Sequence, residues 1–281
     1  MSTENPRGKL IPIGGKEAKK PDDESRRSGS FFFGEGVLAE VLEQLRGKDS
    51  HIGLITTASG TPEEIAEAYL QAFEKLGCKN VEVLHLDKRN VDSKVHLELL
   101  SRLDGVFMTG GDQMRLKEKI YGSEFLRAMK KRYQETDFVI AGTSAGAMAM
   151  SELMISEGED SESLLKNMVE LEAGFTLLPG TIIDPHFMVR GRFARLTEAI
   201  LKNRNLTAIG ICEDTALIIS DGNVLDAIGT GTVIIFEANH IRSTNFKKAK
   251  AGQAVYVEGL RLHILAKGAK YLLKERIFIG G

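Results

Sequence analysis

Residues 137–150 read DFVIAGTSAGAMAM, and this stretch decides the fold. An apolar run is followed by Gly-Thr-Ser-Ala-Gly and then by small residues that favour a helix. Such a sequence predicts a buried strand that turns directly into a helix. The pattern G-x-S-x-G around Ser144 fits a nucleophile held on a sharp turn, and it fits equally a simple glycine turn before a helix. The two interpretations predict different residues elsewhere in the chain.

Bulk composition excludes several classes of protein. The chain has 281 residues, 42% hydrophobic and 27% charged, which is ordinary for a globular protein. Its formal net charge of −2 gives no support to binding of nucleic acid or of an anionic membrane. Cys78 and Cys212 lack C-x-x-C spacing, which argues against disulfides or a cysteine-based zinc site and fits a reducing compartment. We find neither a signal peptide nor a membrane-spanning apolar segment, so we expect a cytoplasmic protein.

The first 210 residues alternate apolar runs with amphipathic segments, which predicts βα units around a mainly parallel sheet. Thr61 is predicted to cap a helix, with Pro62 at its first position and Glu64 completing a capping box. The polar stretch 14–30 predicts a loop at the sheet's C-terminal edge. Strands are predicted at 9–13, 51–56, 81–86, 105–109 and 137–141, and helices at 37–46, 62–77, 93–102 and 113–133.

After residue 205 the predicted strands become short and closely spaced: 207–213, 215–220, 223–228, 231–236, 259–265 and 271–279. We interpret them as the last strands of the sheet together with antiparallel additions. They are too few and too interleaved to define a second domain. The sequence therefore predicts one domain over residues 1–281, with a three-layer αβα fold, a mainly parallel central sheet and extra antiparallel strands in the C-terminal third.

A second glycine-rich turn, Thr109-Gly110-Gly111, follows the predicted strand 105–109. In a parallel sheet this turn lies at the same edge as Ser144. The free backbone N–H groups of Gly110 or Gly111, with that of Ala145, would then form an oxyanion hole.

The candidate base is His186, in Asp184-Pro185-His186-Phe187. Among the six histidines it is the one that directly follows an apolar strand and precedes a helix-like segment. A lone histidine is more often structural, so the interpretation of His186 as a base depends on the other residues predicted to lie near it.

Two charged groups follow His186 in the chain. Arginine at positions 190, 192 and 195 suits recognition of carboxylates, which guanidinium binds through two hydrogen bonds. Further on, Glu213 and Asp214 interrupt strand-like sequence. Glu213 is a candidate to orient the imidazole of His186, and Asp214 is the alternative.

With these residues in view, the chain resembles the cyanophycinases, in the peptidase family that also contains aspartyl dipeptidases. The resemblance covers most of the chain and is carried by PIGGKE at 12–17, FMTGGDQMRL at 107–116, GTSAGAMAM at 142–150, DPHFMVRGRFARL at 184–196 and GICEDTAL at 210–217. It implies a class I glutamine-amidotransferase-like fold, flavodoxin-like in its layers, with serine where the amidotransferases use cysteine.

The resemblance also implies a mechanism. Ser144 is the nucleophile, His186 the general base and Glu213 the acid that orients it. The implied reaction is exo-type cleavage of cyanophycin, a poly-aspartate with arginine on each β-carboxyl, which releases β-Asp-Arg dipeptides. It needs no metal or organic cofactor, and homologues often form homodimers. Implied substrate-binding residues are Gln113, Asp184, Arg190, Arg192 and Arg195 in the pocket, with Glu17 and Asp112 for the substrate guanidinium.

One residue departs from the family pattern. The family usually has glutamine between the Asp and the His, and this chain has Pro185. Proline removes a polar side chain and a backbone N–H donor, which would alter affinity or specificity and leave the acyl-transfer groups intact. Two alternatives therefore stay open: an aspartyl or isoaspartyl dipeptidase, and a catalytically silent homologue that keeps the pocket.

Overall fold

The computed structural model describes residues 5–17, 19, 36–158 and 163–281. Residues 18 and 20–30 of the predicted loop lie outside this range. The described chain is an α/β fold with two large sheets and one small two-stranded sheet. We number strands and helices in chain order.

The nine-stranded sheet begins at one edge with five parallel strands and ends with four antiparallel ones. The parallel part confirms the predicted βα architecture. In spatial order the strands are β3 (Val81–Leu84), β2 (Ile52–Ile55), β4 (Gly105–Met108), β5 (Val139–Thr143), β1 (Lys9–Ile13), β10 (Thr215–Ser220), β11 (Val224–Gly229), β16 (Lys270–Leu272) and β17 (Ile277–Ile279).

A six-stranded sheet lies beside it, and the sequence did not predict it as a separate sheet. Strands from the last third of the chain are divided between the two sheets. Its three middle strands β9, β8 and β6 are parallel. In order it contains β15 (Arg261–Leu265), β12 (Val233–Glu237), β9 (Thr207–Ile211), β8 (Leu178–Asp184), β6 (Ser151–Gly158) and β7 (Val169–Ala173), and the small sheet pairs β13 (Ser243–Thr244) with β14 (Val257–Glu258).

The helices follow the predicted pattern with one correction. The predicted helix 113–133 is two helices, because Gly122 adopts φ +78° and the Ser123 hydroxyl caps a new helix by accepting from the N–H of Leu126 at 3.0 Å. No helix of the described residues is long and apolar enough to cross a membrane. The helices are α1 (Val37–Gln44), α2 (Pro62–Lys75), α3 (Lys94–Arg102), α4 (Gln113–Ile120), α5 (Glu124–Glu135), α6 (Ala145–Met150) and α7 (Phe193–Lys202), with a 3-10 turn at Gly47–Asp49.

The predicted capping box at the start of α2 is wrong. The helix begins at Pro62 as expected, but the Thr61 side chain makes no capping hydrogen bond. The backbone N–H of Thr61 donates instead to the Ser59 hydroxyl at 3.0 Å, so that N–H has an acceptor without Glu64.

The core explains why the parallel strands are apolar almost throughout. One face of the nine-stranded sheet packs on α1 and α2, and Ile11 and Ile13 of the sheet share one buried cluster with Phe73 of α2. The other face packs on α3, α5 and α6 and on the six-stranded sheet, whose far side is covered by α7. Both faces of the central strands are therefore buried, which favours continuous Val, Ile and Leu.

Candidate active site

Five chain segments meet where the two sheets come together. β1, β4 and β5 are parallel, so the residues that follow them share one edge of the nine-stranded sheet. β8 and β9 end at the neighbouring edge of the six-stranded sheet, with Asp184 paired to Gly210. β10 then starts antiparallel to β1, with Ala216 opposite Ile13. The topology thus brings the turns after β1, β4, β5, β8 and β9 to one place.

Ser144 occupies a strained turn between β5 and α6. Its backbone has φ 51° and ψ −110°, a conformation that a non-glycine residue rarely adopts. A Cβ atom at Gly146 would lie 2.4 Å from the carbonyl oxygen of Met108, and one at Gly142 would lie 2.8 Å from the backbone carbon of Gly146. Both glycines are therefore required by close backbone approach at a sharp strand-to-helix turn, which is the backbone geometry that the nucleophile interpretation predicts.

His186 is fixed by the glycine loop after β1. It also has positive φ (51°), and its backbone N–H donates to the carbonyl of Gly14 at 2.8 Å. The imidazole lies against Gly15, where an added Cβ would be 2.2 Å from Cε1 of the ring. A Cβ added at Gly14 would lie 1.8 Å from the carbonyl oxygen of Cys212. The loop after β1 thus contacts both the turn after β8 and the turn after β9.

Three side chains form a continuous hydrogen-bonded series. His186 Nε2 lies 3.1 Å from Ser144 Oγ, and His186 Nδ1 lies 2.8 Å from Glu213 Oε1. The carboxylate of the alternative acid, Asp214, accepts instead from the Thr230 hydroxyl at 2.9 Å. Of the two adjacent acids, Glu213 is therefore the one that contacts the imidazole.

The electrostatics of this series favour a neutral imidazole beside an ionised carboxylate. Burial lowers the pKa of His186, the hydrogen bond with Glu213 opposes that shift, and the cations Arg190 and Arg192 lower the pKa further. For Glu213, burial alone would raise the pKa, but hydrogen bonds with His186 and Lys16 outweigh it, and the pKa lies below its usual value. The imidazole can therefore accept a proton at neutral pH.

Backbone donors lie beside Ser144. Ala145 is the first residue of α6, so its N–H has no partner within the helix. Gly110 lines the same cavity as Ser144, and a Cβ there would lie 3.3 Å from the Cβ of Ser144. Gly111 has φ +140°, and a Cβ added there would lie 2.2 Å from the carbonyl oxygen of Ala58. The backbone of Ala145 and of Gly110 therefore lies close to the serine.

A cavity of about 200 Å³ opens at Ser144 and His186. Glu17, predicted to contact substrate, is buried in its wall. Its carboxylate accepts from the hydroxyls of Tyr69 and, at 2.7 Å, Thr143, and it pairs with Lys19 at 3.3 Å. Burial, and then the charge of Glu17, raise the pKa of Tyr69 well above its usual value, so the phenol stays a donor. The complete lining is Gly15, Lys16, Glu17, Lys19, Ile65, Tyr69, Gly110, Thr143, Ser144 and His186.

The arginine cluster is arranged differently from the sequence expectation. Asp184 is fully buried and pairs with Arg195, from Oδ2 to Nε at 2.8 Å and from Oδ1 to Nη2 at 2.5 Å. Arg192 donates to Asp184 Oδ1 at 3.1 Å and to the carbonyl of Pro185 at 2.7 Å. A buried carboxylate requires such cationic partners. The two guanidiniums therefore stabilise the turn before His186 through contacts inside the protein. Arg190 is exposed.

Two further residues expected to contact substrate are engaged with the backbone. The Asp112 carboxylate caps α4, accepting from the N–H groups of Met114 at 2.7 Å and Arg115 at 3.3 Å. The Gln113 side chain donates to the carbonyl of Ile155 at 2.9 Å. Neither lines the cavity around Ser144.

Sequence reasoning missed six residues of the cavity lining, and three of these, Lys16, Lys19 and Tyr69, carry a charged or phenolic side chain. Lys16 and Lys19 belong to the polar loop after β1, and their position beside Glu17 was the available signal. Tyr69 lies on the buried face of α2 and looks like an ordinary core residue in the sequence. Its role beside Glu17 depends on how α2 packs, which spacing along the chain does not encode.

This combination of an α/β fold and a serine-centred site defines a serine-type peptidase, and comparison with known proteins supports that class. The model of peptidase family S51 matches residues 28–226, and the chain belongs to that family. It is 32% identical over 269 residues to the cyanophycinase of Synechococcus elongatus, covering 95% of this chain and 80% of the relative. The cyanophycinase of Geminocystis herdmanii is also 32% identical, over 94% of this chain and 93% of the relative. A crystal structure of a peptidase from an acI-B1 Actinobacterium shares the fold, with a TM-score of 0.65 at 19% identity, over 94% and 96% of the two chains.

Proposed function

We propose that this peptidase is a serine exopeptidase that cleaves cyanophycin to β-Asp-Arg dipeptides. The observation that carries the proposal is the series from Ser144 Oγ through His186 to Glu213, with separations of 3.1 and 2.8 Å, on a strained strand-to-helix turn. Cyanophycinases that cover nearly the whole chain at 32% identity support the choice of substrate.

The proposed mechanism proceeds by acyl transfer. His186 Nε2 removes the proton of Ser144 Oγ as the oxygen attacks the substrate carbonyl carbon. The N–H groups of Ala145 and of Gly111 or Gly110 stabilise the oxyanion. His186 then protonates the leaving amine, and afterwards accepts a proton from the water that hydrolyses the ester. Glu213 holds the imidazole in the required tautomer and stabilises the imidazolium.

Charges around the cavity fit a substrate that carries both signs. Glu17 is the acidic residue in the wall of the cavity, and its carboxylate suits the arginine side chain of the substrate. On binding, that arginine would replace Lys19 as the partner of the carboxylate. Arg190 is exposed and close enough to influence His186, which suits an aspartyl carboxylate. In this proposal Asp184, Arg192 and Arg195 support the site from beneath, and Asp112 and Gln113 fix α4 at its edge.

The decisive experiment compares wild-type protein with Ser144→Ala on insoluble cyanophycin, with products identified by mass. We expect β-Asp-Arg from the wild type and a fall in kcat of about 10⁴-fold or more in the variant, because the oxyanion donors alone retain little activity. Ser101→Ala, an exposed serine of α3, is the matched control. Release of β-Asp-Arg by Ser144→Ala at the wild-type rate would exclude this mechanism. Labelling of Ser144 by a serine-directed inhibitor would exclude the silent homologue.

Pro185 favours a second candidate, an aspartyl or isoaspartyl dipeptidase of the same family. Pro185 is buried, and its carbonyl accepts from Arg192 at 2.7 Å. The polar side chain that the cyanophycinase pattern usually has at this position is therefore replaced by an apolar ring. Turnover on cyanophycin is to be compared with turnover on α- and β-aspartyl dipeptides; a preference for the dipeptides would replace the polymer as the substrate.

We further propose a cytoplasmic homodimer built from a single domain per chain. Both cysteines, Cys78 and Cys212, are buried and free, which fits a reducing compartment. Light scattering of the purified protein tests the dimer, since a monomeric mass at micromolar concentration would contradict it.

A further inference from the structure

Lys16 is a cation at the mouth of the cavity that the proposed mechanism does not use. It follows Gly14 and Gly15 at the end of β1 and lines the same cavity as Ser144. Its Nζ lies 3.2 Å from Glu213 Oε1, the same oxygen that lies 2.8 Å from His186 Nδ1. The lysine side chain remains 65% exposed.

This ion pair is an incomplete explanation for the presence of Lys16. The Glu213 side chain is only 9% exposed and Lys16 helps to lower its pKa, but water solvates the lysine end and weakens the pair. Glu213 is already held by His186. Lys16 also has φ 47°, a left-handed conformation that a lysine adopts at a cost in strain. Strain of this kind persists where the conformation has a use, so Lys16 is a candidate for contact with a ligand.

Three other cations near the site are held more firmly, and the exposed Arg190 is assigned above to an aspartyl carboxylate. Arg195 and Arg192 are buried against Asp184. Lys19 pairs with the buried Glu17 and lies over the ring of Tyr69 at 4.7 Å from its centre. Lys16 has a flexible, solvated stem, so its ammonium can leave Glu213 and reach a ligand with little loss.

The position of Lys16 assigns it to one side of the substrate. The His186 imidazole lies on the backbone of Gly15, the residue before Lys16. In serine peptidases the imidazole that activates the nucleophile also protonates the leaving amine, so the leaving group departs past this ring. Lys16 therefore lies on the leaving-group side of the scissile bond. An exopeptidase that removes a C-terminal unit has a free carboxylate in that leaving group.

We propose that Lys16 binds the free terminal carboxylate of the leaving group and thereby restricts cleavage to the end of a peptide chain. The inference rests on the proposed function. On binding, the ammonium exchanges the Glu213 carboxylate for that of the substrate, and Glu213 remains bound to His186. Lys16 is thus a specificity-determining residue.

The test uses an aspartyl-arginine oligomer with a C-terminal carboxylate and the same oligomer with a C-terminal carboxamide, together with an α-aspartyl dipeptide and its amide. For Lys16→Met we expect kcat/KM on the free acids to fall about tenfold, mainly through KM, because a charge-assisted hydrogen bond is lost. The loss on the amides, which retains only the effect of Lys16 on Glu213, should be smaller, so that the ratio of kcat/KM on acid to kcat/KM on amide falls. Lys16→Arg should retain the preference for the acid. Lys48→Met, an exposed lysine at the opposite end of the sheet, is the matched control.

Each other outcome overturns the inference. An equal loss on acids and amides, with a shifted pH profile, would mean that Lys16 acts through Glu213. No loss on either would mean that Lys16 does not contact substrate. Ser144→Ala separates this inference from the proposed function: cleavage of the acids by that variant at the wild-type rate, or no cleavage by the wild type, overturns both. An inactive Ser144→Ala with an unselective Lys16→Met overturns the role of Lys16 alone.

Discussion

The imidazole of His186 rests directly on the backbone of Gly15. A Cβ atom at that glycine would lie 2.2 Å from Cε1 and 2.5 Å from Nε2, the nitrogen that faces Ser144. Gly15 also has φ +97°, which disfavours any side chain there. The loop after β1 therefore fixes the position of the His186 ring relative to the edge of the sheet.

Gly15→Ala should displace the imidazole and lower kcat/KM by about 100-fold or more, since a shift of about 1 Å in a reacting group has an effect of that size. The measurement is steady-state hydrolysis of an aspartyl substrate by protein shown to be folded by circular dichroism. Gly60→Ala is the control, because the nearest atom to an added Cβ there is the tip of Arg115 at 3.7 Å. A folded Gly15→Ala protein with wild-type activity would contradict this view of the loop.

Glu213→Gln should lower kcat by about 10³–10⁴-fold with little effect on KM, because an amide neither fixes the tautomer of His186 nor stabilises its cation. Asp214→Asn is the matched neighbour and should retain most activity, since its carboxylate accepts from Thr230. The reverse ranking of the two variants would assign the orienting role to Asp214.

Arg190→Gln should move the acidic limb of the kcat/KM–pH profile to higher pH. Burial is the main cause of the lowered pKa of His186, and the Arg190 cation adds to it by disfavouring the imidazolium. Without that cation the pKa rises, so the base is protonated at a higher pH and activity on the acid side is lost earlier. Arg46→Gln serves as control, because Arg46 pairs with Asp104 before β4, at the opposite edge of the sheet. An unchanged limb would show that Arg190 does not act on His186.

Asp184→Asn should lower the free energy of unfolding by about 3–5 kcal/mol, because it leaves the buried guanidiniums of Arg192 and Arg195 without their carboxylate. Chemical denaturation measures this effect. Asp137→Asn, whose side chain is 84% exposed beside Arg7, should change stability by less than about 1 kcal/mol. A wild-type stability with a raised KM would instead favour direct contact of this cluster with substrate.

The sequence predicted those helices and strands whose formation depends on neighbouring residues in the chain. The parallel strands were recognisable because burial on both faces leaves continuous apolar runs such as residues 137–141. The division of the late strands between two sheets was not recognisable, because sheet membership depends on pairing between distant segments, such as Ile211 with Val233 and Ile13 with Ala216. The break between α4 and α5 did have a local signal in Gly122 and Ser123, which the long amphipathic pattern obscured.

In the candidate site, too, features set by neighbouring residues could be predicted, and features set by long-range packing could not. The sharp turn at Ser144 was readable because glycines at 142 and 146 are required by the turn itself. The spacing of Arg192 and Arg195 correctly indicates a shared helix face, but nothing in that spacing reveals that the face is buried on Asp184. Whether a charged side chain faces ligand or core is decided by packing, and the sequence does not report it.

The assembly of the site from two sheets has a consequence for protein synthesis. Ser144 follows a strand of the nine-stranded sheet, whereas His186 and Glu213 follow strands of the six-stranded one. A chain made from its N-terminus exposes the serine well before β8 and β9 exist to place the histidine and the acid. On the proposed mechanism the nascent peptidase is therefore inert, and hydrolysis begins once the last third of the chain has docked.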